Sequence, residues 1–264
     1  MKTTLITGAS SGIGEAFARK LGSQGENVLL VARSGDKLAN LCNELGRGGG
    51  GASAQYVALD LTEGDAAAKL FAETTERGLE VEMLINNAGF GSMGDFAALE
   101  LERELEMIDL NIKSLVALTH YFLKPMRERG RGTIINVAST AAFQGVPYMA
   151  TYAATKAFVL SFSEALWDEN RARGIHVMAL CPGVTETNFF AAAEQKGKPP
   201  MRTMQTPEQV VDTALKGLKR GKSHIISGWT NYLTAESERL IPRWLVARIA
   251  GKAMRPKYGE NSKQ

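Results

Sequence analysis

The feature that most constrains this chain is a repeating alternation. Short runs rich in Val, Ile and Leu recur at Thr3–Thr7, Asn27–Ala32, Gln55–Leu59, Met83–Asn86, Thr133–Ser139, Ile175–Cys181 and His224–Ser227, and stretches of helical periodicity lie between them. A strand that is apolar on both faces needs cover on both, and parallel neighbours need a crossover, which the intervening helices supply. The pattern predicts an α/β fold, a doubly wound parallel sheet of about seven strands. The 264 residues suit one such domain, read as a dinucleotide-binding and catalytic body over 1–228 with a C-terminal helical extension of the same domain over 229–264.

Lys and Arg number 31 against 28 Asp and Glu, a net charge of +3 that is too balanced to coat a nucleic-acid backbone. The expected partner is a small molecule. Cys42 falls in a helical stretch and Cys181 at a strand end, which gives no disulfide framework and points to a reducing compartment. Met1 and Lys2 pass directly into a strand, and no later run is apolar for the ~18 residues a span needs, so a cytoplasmic location is expected. Two stretches read as irregular: the run Gly46 to Gly51, and Ala191 to Pro207, which follows a strand's carboxyl end.

Directly after the first run stands Thr7-Gly8-Ala9-Ser10-Ser11-Gly12-Ile13-Gly14, then a helical stretch. Gly8 permits a sharp turn, Gly12 lets backbone N–H groups approach an anion, and Gly14 lets helix and strand pack closely. With Ser10, Ser11 and Ile13 they form a phosphate cradle, although a lone glycine turn also serves as a plain connection. The second strand ends Ala32-Arg33 with no carboxylate for a ribose 2′-hydroxyl, so Arg33 is read as a contact for a 2′-phosphate, which favours NADPH. The plain alternative is a solvated loop arginine. Asp60, with Leu61 beside it, follows the third run at the same sheet edge, where it either accepts from adenine or begins a helix.

Tyr152 and Lys156 stand four apart in the helical stretch Ala150–Arg171 and share a face. A phenol is a poor proton carrier near neutrality unless a cation stabilises its phenolate, and Lys156 supplies that cation. Such a pair alone occurs by chance on many helices. Here Ser139 closes the fifth strand and Asn111 lies in the helical stretch Leu101–Arg127.

In this order, the glycine turn, Asn86-Asn87-Ala88-Gly89, Asn111, Ser139, Tyr152-x-x-x-Lys156 and Pro182-Gly183 make the chain resemble the short-chain dehydrogenase/reductase family over nearly its full length. The resemblance implies Tyr152 as general acid or base, Lys156 lowering its pKa and holding the nicotinamide ribose, Ser139 orienting the carbonyl, and Asn111 ordering a relay water. It also implies that Asn87, Ala88 and Gly89 border the cofactor, mainly as support. Pro182, Gly183, Val184 and Thr187 would close over it, with helix capping as the plain role for Thr187. A homo-oligomer, dimer or tetramer, is the family expectation.

The three histidines, His120, His176 and His224, lack metal-ligand spacing, so no metal is expected. Nothing marks Cys181 as an activated thiolate. Phe143, Tyr148, Met149, Phe189 and Phe190 flank the inferred centre and are read together as an apolar pocket. At the C-terminus Leu240, Ile241, Trp244, Leu245, Val246 and Ile249 mix with Arg239, Arg243, Arg248, Lys252 and Arg255. Packing against the domain or a neighbouring subunit is preferred to membrane-surface contact, because Pro242 interrupts the helix. The expected function is NADPH-dependent interconversion of a carbonyl and an alcohol. The alternatives are a non-catalytic NADP-binding sensor or scaffold, or a membrane-surface lipid or steroid reductase. Ser227-Gly228-Trp229 replaces the Asp-Gly-Gly of fatty-acid elongation reductases, which puts an acyl-carrier substrate in doubt.

Overall fold

The computed structural model describes residues 1–47, 52–187, 204–238 and 240–258. Seven parallel strands form one sheet: β1 (Lys2–Thr7), β2 (Val28–Ala32), β3 (Ala54–Ala58), β4 (Glu80–Asn86), β5 (Gly132–Val137), β6 (Ile175–Cys181) and β7 (His224–Ile226). Their order is β3-β2-β1-β4-β5-β6-β7. The chain winds outward from β1 to β3, then returns to add β4 on the other side of β1. The carboxyl ends of β1 and β4 therefore flank the point where winding reverses, the place where such sheets bind ligands.

Neighbouring residues of each central strand go to opposite faces. Ile6, Leu30, Ile135 and Met178 join a core with Phe17, whereas Leu5, Leu29, Ile134 and Val177 join one with Phe122. That is why the runs are apolar throughout rather than alternating. Helices α1 (Gly12–Ser23), α2 (Gly35–Arg47) and, later, α7 (Pro207–Lys219) cover the first face. The second is covered by α3 (Ala66–Glu76) and α5 (Leu115–Arg129). Phe17 is fully buried, worth about 2–3 kcal/mol in transfer free energy.

The stretch expected as one helix over Leu101–Arg127 is α4 (Leu101–Ile108) and α5 with a π-helical turn, Asp109–Ser114, inserted between them. The expected loop at Gly46 is also corrected: Gly46 and Arg47 complete α2, drawn on by Leu38, Leu41 and Leu45 packing on the core. The remaining glycines of that run, and 191–203 of the second irregular stretch, lie outside the described residues; Pro207 opens α7. Helix α6 spans Ala150–Arg171. Beyond β7 come α8 (Trp229–Glu238) and α9 (Arg243–Tyr258), separated at Pro242. No helix among the described residues is long and apolar enough to cross a membrane.

Candidate active site

At the reversal point the glycine turn is held in shape from β4. Gly8 and Gly12 have φ of 64° and 59°, where a side chain would be strained. A Cβ on Gly14 would overlap the Gly8 carbonyl, and one on Gly12 would stand 2.9 Å from the Thr187 methyl carbon. Asn87 Nδ2 donates to the carbonyls of Thr7 and Gly8 at 2.9 and 3.2 Å, and the N–H groups of Asn87 and Ala88 donate to Thr7 Oγ1. Ser11 starts α1 in extended backbone, yet its hydroxyl makes no capping bond to the helix. The first turn thus keeps N–H donors for an anion, and the cradle fits a dinucleotide pyrophosphate.

The loop after β6 folds back toward this turn. Val184 O accepts from Gln205 N–H at 3.1 Å, Pro182 O accepts from Thr140 N–H at 2.9 Å, and Thr187 arrives beside Gly12. Gly183 has no room for a Cβ, which would overlap the Asn231 amide. The residues after Thr187, on which a capping role would bear, lie outside the described residues.

Arg33 stands exposed at the end of β2, its Nη1 3.7 Å from Asp60 Oδ2 and 3.8 Å from Glu106 Oε1. Burial works against the charge of Asp60, but hydrogen bonds from Thr62 and the nearby Arg33 outweigh it and hold the carboxyl below its ordinary value. Leu61 is buried in the core with Leu5, Leu29 and Val31, so its side chain acts as support.

The chemical groups converge one layer deeper. Tyr152 and Lys156, one turn apart on α6, are both buried, as are Ser139 and Asn111. Ser139 lies two residues beyond β5, where its Oγ accepts from Ala141 N–H at 3.1 Å, and its hydroxyl hydrogen-bonds the Tyr152 phenol. Lys156 Nζ donates to the Val137 carbonyl at 2.8 Å and lies 5.8 Å from the Tyr152 ring centre. Asn111 Oδ1 accepts from Phe90 N–H at 3.1 Å, while Nδ2 donates to Phe90 O at 2.9 Å and to Thr155 Oγ1 at 3.1 Å. Thr155 in turn donates to the Tyr152 carbonyl. One residue of an α-helix is roughly 100° of rotation, so the π turn decides which way Asn111 points. Gly89 sits against the same amide: a Cβ there would lie 2.7 Å from Asn111 Oδ1.

Burial pushes the Tyr152 phenol up to about 12, with Ser139 pulling it back, and pushes the Lys156 ammonium down to about 8. In this geometry burial, rather than Lys156, sets the direction of the Tyr152 shift. Removal from water dominates, and the Lys156 hydrogen bond goes to Val137 instead. Burial likewise raises the Cys181 thiol well above its ordinary range, so it is no thiolate.

One side of Tyr152 is an apolar wall of Phe90, Met107 and Met149, with Met93, Val146 and Met254 against it. Phe143, expected here, instead packs with Ala138 and Val159, its ring 6.1 Å from His224. Tyr148 has a φ of 67°, and its carbonyl accepts from Gly94 N–H at 2.9 Å, which ties the turn before α6 to the loop after Gly89. Phe189 and Phe190 lie outside the described residues. Sequence reasoning missed Phe90 and Thr155. Both act through bonds to residues more than 20 positions away, and no local pattern announces that. His224 pairs with Glu164 at 2.9 Å and His176 with the Lys222 carbonyl at 2.8 Å.

Fold and site together define an oxidoreductase built on a dinucleotide-binding sheet, and comparison with known proteins fixes the family. The family model for short chain dehydrogenase matches residues 2–198. The chain is 32% identical over 269 residues to a very-long-chain 3-oxoacyl-CoA reductase of Macaca fascicularis, spanning 96% of this chain and 81% of that one. It is 31% identical over 225 residues to the ketoacyl reductase HetN of a Nostoc strain, spanning 85% and 78%. A short-chain dehydrogenase from Sphingobium yanoikuyae, solved in complex with NADPH, superposes with a TM-score of 0.82 at 31% identity, covering 91% of this chain and 94% of its own. The chain belongs to the short-chain dehydrogenase family.

Proposed function

We propose that this protein is an NADPH-preferring reductase of a carbonyl on an apolar substrate, with Tyr152 as proton donor, Ser139 holding the carbonyl oxygen and Lys156 as the charge that favours the phenolate. The observation that carries this reading is the buried contact of Tyr152 with Ser139, with Lys156 one turn away. Bound nicotinamide supplies the hydride. Everything else is work for the chain. With a pKa near 12 the phenol carries its proton at neutral pH, the form a reduction consumes. As the proton leaves, the Lys156 ammonium, 5.8 Å from the ring, stabilises the negative oxygen. Asn111 spends its side chain on Phe90 and Thr155, so its contribution is to fix the loop beside the proton donor and the carbonyl end of its residue, with a relay water as the family role.

Cofactor contacts are assigned to Gly8, Gly12 and Gly14 at the pyrophosphate, Arg33 at the 2′-phosphate and Thr187 over the turn. The exposed guanidinium and the absence of a carboxylate at Ala32 or Arg33 support the phosphate-bearing form. The Met-rich wall beside Tyr152 supports an apolar substrate. Two relatives named as ketoacyl and 3-oxoacyl-CoA reductases favour a 3-oxo thioester, against the doubt raised by Ser227-Gly228-Trp229. The test is absorbance loss with NADPH and with NADH on a panel of 3-oxoacyl thioesters, bulky apolar ketones and small polar ketones. Fastest turnover with NADPH and a long-chain substrate is expected; turnover confined to small polar ketones would refute it.

A further inference from the structure

Helix α9 has two faces with different fates. On one, Val246 and Gly251 are buried, Gly251 lies against Pro147 before the catalytic helix, and Met254 packs on the cluster that contains Tyr152. The other face points to solvent. It carries Arg248, Lys252 and Arg255 in a stripe, flanked by Trp244 on one side and Leu245 and Ile249 on the other. Trp244 is 61% exposed and Ile249 57%; just before the helix Leu240 is 88% exposed, too much apolar area for an idle surface. The helix Arg243–Tyr258 contains no Asp or Glu. The two acids near its start, Glu236 and Glu238, are half-buried, and burial pushes the Glu238 carboxyl up.

We propose that this outer face of α9 docks the protein on an anionic lipid bilayer. Exposed Trp and Leu beside a basic stripe is the chemistry of an interfacial helix: the rings and aliphatic chains enter the headgroup boundary while the cations meet lipid phosphates. A second copy of this chain is the poorer fit. A two-fold contact through the same face would bring the two basic stripes together with no acid on the helix to meet them. Docking through this face puts the helix that covers the catalytic cluster against the bilayer. The inference goes beyond the reductase reading and does not depend on it.

The experiment is co-sedimentation of the full chain with phosphatidylcholine vesicles, with and without phosphatidylserine. Sedimentation with the phosphatidylserine vesicles alone, reversed by added salt, is expected. At about 1 kcal/mol per cation, Arg248→Gln with Lys252→Gln should weaken binding roughly 30-fold. Trp244→Ala should weaken it further, and an unchanged melting temperature in all variants shows that they fold. Absence of sedimentation, equal sedimentation with both vesicles, or a dimer in light scattering that Trp244→Ala dissociates would each overturn the proposal.

Discussion

The floor of the active site and the outer face of α9 break the same rule in opposite directions. In the floor, polar groups are buried: Asn111, Ser139, Tyr152 and Lys156 are each less than a tenth exposed. On α9, large apolar groups are in water, Trp244 and Ile249 among them. The compensation differs as well. Each floor residue is tied by hydrogen bonds, Asn111 to Phe90 and Thr155, Lys156 to Val137, Ser139 to Ala141 and Tyr152. Such bonds offset desolvation only in part, so the floor stores instability in exchange for fixed geometry. The α9 side chains carry no such restraint, and their cost is relieved only when something covers them. A buried polar cluster therefore marks chemistry inside the molecule, and an exposed apolar one marks a meeting with something outside it.

Replacing Lys156 should strain this contrast most. Lys156→Met is expected to cut turnover by roughly 100- to 10,000-fold. It should also make the cofactor-free protein more stable at pH 7, by about 1–2 kcal/mol, because the relief of burying an ammonium exceeds the loss of its bond to Val137. Thermal melts and steady-state rates read the two effects. The sign with pH follows from the same group: its ammonium titrates near 10.5 in the unfolded chain and near 8 when folded. Between those values the unfolded chain binds more protons, so wild-type stability should rise with pH above about 8, and Lys156→Met should flatten the rise.

Asn111→Ala removes three buried hydrogen bonds and leaves the Phe90 main chain unpaired; a loss of roughly 2–3 kcal/mol is expected by denaturant titration. Arg33→Ala tests the exposed rim. Its NADPH affinity should fall about 10- to 100-fold while NADH affinity holds, measured by fluorescence titration. The smallest effect belongs to α9: Trp244→Ala should move stability by under about 0.5 kcal/mol and leave turnover of a soluble ketone unchanged. A destabilisation of several kcal/mol would mean that the face is part of the core, and the contrast would fail.

The sheet was legible because both-face burial forces a continuous apolar run, and β6 coincides with the run Ile175–Cys181. Helix α6 kept its expected bounds for a similar reason, since Tyr152, Lys156 and Val159 mark one buried face. The π turn at Asn111 was not legible. It is chosen by the fit of one side chain to Phe90 and Thr155, and composition is silent about that. The glycine run from Gly46 misled because a glycine near a helix end costs only about 1 kcal/mol, less than the Leu38, Leu41 and Leu45 stripe returns. In the site, the sequence order anticipated that Ser139, Tyr152 and Lys156 come together, while the depth of their burial was not legible. Burial moves both groups away from their ordinary values, and no sequence pattern reports how completely they leave water.

The central claim is that Tyr152 delivers the proton, and Tyr152→Phe tests it with a single-turnover measurement beside an NADPH titration. The account predicts unchanged NADPH affinity, because the hydroxyl is the only group lost, and a rate on a confirmed ketone reduced at least about 100-fold. Retention of most of the wild-type rate with NADPH bound would contradict it.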